Sequence, residues 1–218
     1  MHTRRQFLRK MVNLLAFSGA ISMPLTSKLT RVWGKMQKII LPEGTKRESL
    51  VDKNPAHLDA RNLEITPLSE FGTMGLTNHA VEVNSWRLEI KGHVKNPLTL
   101  AYQQITALPQ IERNILLICP GFFVNHGHWK GISIMELLKL AQVEKGITRV
   151  TIRGPRPPSE HVQAFPIGDA LSDKVFLAYE INGKSLPEKH GFPLRVVAEG
   201  YYGFDWIKYV YSVTAEKS

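Results

Sequence analysis

Apolar and polar residues alternate from Trp86 to Val94, with Trp86, Leu88 and Ile90 on one side. That period of two predicts a half-buried strand. Leu98 to Leu108 reads as a short strand followed by a turn of helix that stops before Pro109. From Asn114 to Cys119 the apolar run is nearly continuous, the pattern of a strand covered on both faces. The period changes at Ser133 to Ala141, where Ile134, Leu137, Leu138 and Leu140 surround Glu136 and Lys139; this predicts a helix. Arg149 to Ile152 and Val175 to Ile181 are rich in branched residues and predict strands. Asn182-Gly183 then gives a strong hairpin signal. Pro193 to Ala198 and Ile207 to Ala215 complete the pattern as strands, the second with Ile207, Tyr209 and Tyr211 on one face.

Short strands with few short helices between them predict an α+β domain with mixed β-sheets. There is no regular βαβ repeat and no GxGxxG, which argues against a dinucleotide fold. Leu41 to Gly75 is mixed and polar, punctuated by prolines, and reads as an extended arm over the body.

Charge divides the chain more sharply than hydropathy does. Residues 1–38 carry eight Lys or Arg and no acid; removing those eight from the 28 in the whole chain leaves 20 basic against 19 acidic residues. The net charge of +9 therefore belongs to the N-terminus, and the near-neutral body offers no basic face for nucleic acid. Arg4 and Arg5, followed by Phe7 and Leu8 and then by the apolar stretch Met11 to Leu25, have the form of a twin-arginine export signal. The nearest small-residue cleavage site is Ala20-Ile21-Ser22. The expected organisation is an export signal and linker over 1–38 and a single domain over 39–218. The expected location is the periplasm, with the signal either cleaved or retained as a tether.

The chain has one cysteine, Cys119, so no internal disulfide forms. Its thiol is either a small buried hydrophobe or a nucleophile, redox thiol or metal ligand. Asn125-His126-Gly127-His128 follows it, reading as a loop that either orients substrate and shuttles protons or is simply solvated. From these residues alone, a zinc-dependent hydrolase or a cysteine-nucleophile hydrolase with His128 as base is an alternative.

Four separated motifs carry a resemblance. Asn84 to Gly92 with Val94 to Leu100, the Cys119-to-Trp129 segment, Ala178 to Pro187, and His190 to Val197 resemble the sulfite oxidase-type molybdopterin oxidoreductases. The resemblance spans about Gly75 to Ala215 and implies that family's fold and a Mo-molybdopterin cofactor. It makes Cys119 the molybdenum thiolate, a soft ligand suited to a sulfur-rich site. It implies cofactor contacts at Asn78, His79, His190, Arg195, Trp206, Ile207 and Lys208, with Arg195 and Lys208 facing a phosphate. Tyr202 enters as a hydrogen-bond donor or as wall packing.

The implied reaction is two-electron oxygen-atom transfer on a small-molecule substrate. Sulfite-oxidising members follow the cysteine with Gly-Asn-Arg-Arg, whereas this chain has Pro120-Gly121-Phe122-Phe123. An apolar pair suits a neutral or sulfoxide-like substrate, as in the exported, haem-free methionine sulfoxide reductases of that family. Glu199 replaces the family's usual proline. With no haem-attachment motif, electrons must pass to or from a separate partner, such as a membrane haem protein. The twin-arginine translocase carries folded cargo, which suits a protein loaded with a cofactor before export.

Overall fold

Strand pairing in the computed structural model, which describes residues 37–156 and 161–217, sorts the body into two five-stranded sheets. The expected export segment lies outside the described residues except for its last two positions.

In chain order the elements are β1 (Ile39–Ile40), β2 (Leu58–Asp59), β3 (Arg87–Gly92), β4 (Leu98–Ala101), α1 (Tyr102–Thr106), β5 (Gln110–Cys119), β6 (Phe123–Ser133) and α2 (Ile134–Leu140). They continue with β7 (Arg149–Arg153), β8 (Val162–Pro166), α3 (Ile167–Leu171), β9 (Val175–Ile181), β10 (Lys184–Ser185), β11 (Arg195–Ala198) and β12 (Ser212–Glu216). The first large sheet runs β10-β9-β6-β5, with β11 also on β9, and is antiparallel throughout. The second runs β4-β3-β12-β7-β8 and is mixed, because β12 pairs parallel with β3 and antiparallel with β7. This is the α+β architecture with mixed sheets and few helices that the sequence pattern predicts.

One continuous apolar cluster takes side chains from both sheets, among them Leu88, Ile90, Trp129, Ile132, Val150, Phe176 and Val213. The helix after β6 forms as its periodicity predicts, and Ser133 caps it by accepting a 3.1 Å hydrogen bond from the Met135 N–H. The Asn182-Gly183 hairpin also forms, with positive φ of 50° and 72° at its two residues.

Two expectations need correction. Asn125 to His128 is the middle of an eleven-residue strand, not a loop. Asn125 and the His126 Nδ1 find backbone partners inside the sheet, and the His128 ring bonds the side chains of Asn114 and Glu112. The strand expected from Ile207 to Ala215 begins only at Ser212. Tyr209 has φ 57°, a left-handed conformation that cannot continue an extended ladder. The segment instead pairs irregularly with the start of β11, through Val196 N–H to Ile207 O and Val210 N–H to Leu194 O, each 2.8 Å.

The arm lies over β5 and β6 as expected, and its anchoring is specific. Leu41, Leu50 and Leu63 bury against Leu116, Ile118 and Val124 to form a second apolar cluster. Each such side chain contributes about 1.5–3 kcal/mol by leaving water. Thr66 N–H donates to His126 O, and Thr66 Oγ1 accepts from His126 N–H. Further along, the Asn125 side chain bridges both backbone groups of Gly72, at 3.1 and 3.0 Å. These clasps deliver residues 72–76 to the site below.

Candidate active site

The turn between β5 and β6 is Cys119-Pro120-Gly121-Phe122, closed by Phe122 N–H donating to Cys119 O at 3.0 Å. Proline in the second place and a glycine with φ 75° in the third satisfy a type II turn, which needs that left-handed position. The turn holds Cys119 at the rigid end of a ten-residue strand. Across from it, Gly203 packs so closely that an added Cβ would lie 3.1 Å from Leu117 Cδ1 and 3.4 Å from Cys119 Cβ.

Cys119 lines a cavity of about 460 Å³. Its walls come from the arm (Thr73, Met74), the β5–β6 hairpin (Leu117, Phe123), the residues around β8 (His161, Gln163) and the segment between β11 and β12 (Phe204 to Tyr209, without Ile207). Arg195, the first residue of β11, closes it from below. The Cys119 thiol is buried, and burial raises its pKa; its nearest polar contact is Met74 Sδ at 3.9 Å.

The cationic end is built from a buried arginine and a half-buried lysine. The Arg195 guanidinium lies over the rings of Trp129 and Trp206, 5.1 and 5.6 Å from their centroids, and donates to His190 O at 3.0 Å. Burial pushes its pKa down to about 10. Lys208 Nζ donates to Thr73 Oγ1 and Lys189 O, each at 3.2 Å. Burial, then the charge of Arg195, brings it down to about 8. The His190 ring is buried with Nε2 unpartnered, and burial followed by the charges of Arg195, Lys189 and Lys208 pushes it down to about 4. Among the described residues no carboxylate pairs with Arg195 or Lys208. A buried and a half-buried cation without an acid partner form an anion-receptive pocket.

The structure thus brings Cys119, Arg195, Trp206 and Lys208 together around one cavity. His190 does not line it: its ring is buried against Phe71 and only its backbone oxygen meets Arg195. Ile207 is fully buried beneath the cavity in the core. His79 bonds Tyr211 Oη at 2.9 Å and lines a second cavity of about 610 Å³, which adjoins the first through Pro155. Asn78 is exposed and lines neither of these cavities. Tyr202 bridges Ile118, stacks on Phe204 and packs against the second apolar cluster instead of lining the cavity.

The two histidines of β6 require a correction. Leu117 pairs with Asn125 and Cys119 with Phe123, while Leu116 pairs with His126 and Asn114 with His128. Side chains alternate faces along a strand, so His126 and His128 point away from Cys119. His126 is buried under the arm with Nδ1 on Leu63 O at 2.9 Å, and His128 sits outside on Asn114 and Glu112. Neither the zinc cluster nor the cysteine–histidine pair of the alternative reading assembles. No group of three or more potential ligands of His, Cys, Asp or Glu type occurs among the described residues.

Sequence reasoning missed Thr73, Met74, His161 and Asp205. Each reaches the cavity on an arm or loop whose docking no local pattern encodes.

A buried thiol and a cationic pocket share one cavity, an arrangement that suits a cofactor with a soft-metal end and an anionic end. The chain belongs to the family described as oxidoreductase molybdopterin binding domain, whose model matches residues 75–218. It is a molybdopterin-binding oxidoreductase with Mo-molybdopterin as cofactor. The donor set fits that group: a soft sulfur for the metal and unpaired cations for an anionic pterin substituent.

The chain is similar to the protein-methionine-sulfoxide reductase catalytic subunit MsrP of Gluconobacter oxydans, 31% identical over 64% of this chain and 51% of the relative. It is similar to a nitrate reductase [NADH] of Volvox carteri, 29% identical over 59% of this chain and 18% of that protein. A third relative, the uncharacterized oxidoreductase YuiH of Bacillus subtilis, is 26% identical over 62% of this chain and 68% of its own length. The chain thus spans about half the length of the first of these curated relatives. Among solved structures, the sulfane dehydrogenase SoxCD of Paracoccus pantotrophus aligns with a TM-score of 0.61 over 93% of this chain and 56% of that chain. At 19% identity that likeness concerns the fold.

Proposed function

We propose that this protein is an exported molybdoenzyme that reduces neutral, sulfoxide-like substrates with electrons from a separate donor. The supporting observation is the division of labour in the cavity. Its cations are engaged by Trp129, Trp206 and Thr73, while Met74, Phe123 and Phe204 supply apolar lining, with Met74 and Phe204 reaching solvent. Apolar lining of this kind desolvates an uncharged sulfoxide at little cost and gives an anion such as sulfite no arginine fork.

In this reading Cys119 holds the molybdenum, and Arg195 and Lys208 hold the anionic part of the pterin, with the backbone around Trp206 and Ile207 adding donors. When bound, the cofactor supplies two-electron oxygen-atom chemistry. The protein's own contribution is positional: the type II turn fixes the sulfur, Trp129 and Trp206 hold the guanidinium flat, and Phe123 and Phe204 exclude water. Similarity to a methionine-sulfoxide reductase supports the substrate class. The twin arginines at Arg4 and Arg5 support export to the periplasm by the twin-arginine translocase and a single loaded domain over 39–218. The electron donor in this reading is a membrane haem protein.

The test compares wild type with Cys119→Ala purified from a host that makes the cofactor. Wild type is expected to hold stoichiometric molybdenum with a one-electron paramagnetic signal, and to reduce sulfoxides in preference to sulfite oxidation. Cys119→Ala is expected to lose the signal and at least ~100-fold in turnover. Wild type that carries molybdenum but oxidises sulfite and ignores sulfoxides and N-oxides refutes the substrate assignment.

A further inference from the structure

Reducing a sulfoxide to a sulfide breaks the sulfur–oxygen bond and releases the oxygen as water, which consumes two protons as well as two electrons. The electrons come from the donor protein. The protons must come from a group at the cavity.

The lining residues narrow the choice. Arg195 spreads over two indoles, Lys208 is held by Thr73 and Lys189 O, and Cys119 is reserved for the metal. Tyr209 keeps its proton, because burial raises its pKa, and its hydroxyl lies 3.4 Å from Leu76 O. One carboxyl and one imidazole remain among the described lining residues, Asp205 and His161. Asp205 sits two residues after Gly203, the residue packed against Cys119. His161 lines the same cavity, two residues before Gln163 and near enough to Asp205 for the two charges to act on each other.

We propose that Asp205 and His161 form the proton-delivery pair of this site, Asp205 passing protons to the departing oxygen and His161 recharging it from solvent. Their surroundings suit the role. Burial raises the Asp205 carboxyl above its ordinary range and lowers the His161 imidazole below its own. The two therefore approach each other, and the negative charge of Asp205 acts back on His161 in the opposite sense. A carboxyl and an imidazole whose proton affinities draw together can pass a proton between them at smaller cost than the free groups. The other titratable or charged groups lining the cavity are Arg195, Lys208, Tyr209 and Cys119, and Tyr201 lies outside it but feels the charge of Asp205. Tyr201 is committed to Asp169, to which its hydroxyl donates.

The inference rests on the sulfoxide reading, and the experiment separates the two. Loaded wild type, Asp205→Asn, Asp205→Glu and His161→Gln are assayed with methyl phenyl sulfoxide and a reduced viologen, across the acidic to mildly alkaline range. Asp205→Asn is expected to keep its molybdenum content and paramagnetic signal and to hold KM within about threefold. Its kcat is expected to fall about 100-fold or more, with one limb of the pH profile gone. Asp205→Glu is expected to recover at least a tenth of the wild-type rate, and His161→Gln to flatten the other limb. Independently of turnover, the His161 ring followed by NMR is expected to titrate lower in Asp205→Asn than in wild type. Loaded wild type that turns over no sulfoxide sinks the reading beneath the pair. An active wild type that Asp205→Asn matches within threefold, or a His161 titration that does not move, sinks the pair itself.

Discussion

At the scale of single residues, His190, buried beside the cavity's cations, makes stability depend on pH. Its ring is buried with Nε2 unpartnered, and burial with three neighbouring cations holds it down to about 4, against an ordinary value of 6.5. Between those values the unfolded chain binds a proton that the folded chain refuses, so stability falls as the pH drops through about 6.5 towards 4. His126, also buried and lowered mainly by burial, acts in the same direction. In urea unfolding of cofactor-free protein, the midpoint is expected to drop from pH 7 to pH 5 in wild type and to drop less in His190→Asn. An equal drop in the two proteins removes His190 from the acid response. A single thiol at the end of an apolar run left the role of Cys119 open between a buried hydrophobe and a ligand, and only the family resemblance singled it out. Asp205 was not, since an aspartate between aromatic residues carries no pattern of its own.

Among elements, the decisive contact is the one between the arm and β6. Asn125 is buried at 1% exposure, and its side chain uses both donor and acceptor on the backbone of Gly72. That clasp fixes the next residues, Thr73 and Met74, as one wall of the cavity. Asn125→Ala leaves two backbone groups without their partner and is expected to cost about 1–3 kcal/mol. Urea unfolding measures the loss, and limited proteolysis is expected to open first at 72–76. An unchanged midpoint with a protected 72–76 segment shows that the arm is held elsewhere. The same strand explains where sequence reading stopped. The α2 helix and the β9–β10 hairpin announce themselves through periodicity, a serine cap and Asn-Gly. In β6 the polar residues are spread over both faces, Asn125 toward the core side, His126 under the arm and His128 near solvent, so they show no alternation. Its polar residues make sense only once Thr66, Gly72 and Asn182 are folded against them.

On the scale of the whole molecule, the cavity joins parts that are distant in the chain: the arm, the β5–β6 turn, the edge of the second sheet and the linker from β11 to β12. A ligand seated there ties both sheets together, and binding to the folded state alone raises stability by mass action. Lys208 sets how this gain varies with pH. In cofactor-free protein it is lowered to about 8 from 10.5, mainly by burial. Below pH 8 the penalty of its charge is fully present; between 8 and 10.5 the unfolded chain binds more protons, so stability rises with pH. An anion beside Lys208 keeps the ammonium charged in the fold and closes that window. The difference in thermal unfolding temperature between loaded and cofactor-free protein is therefore expected to be larger at pH 7.5 than at pH 9.5. The narrowing comes from the cofactor-free form becoming more stable. Lys208→Met removes the charge while retaining an apolar stem, so its cofactor-free form is expected to lose most of that rise. If the wild-type gap is the same at both pH values, the ammonium of Lys208 does not face the cofactor's anionic end. If Lys208→Met keeps the full rise, another group supplies it.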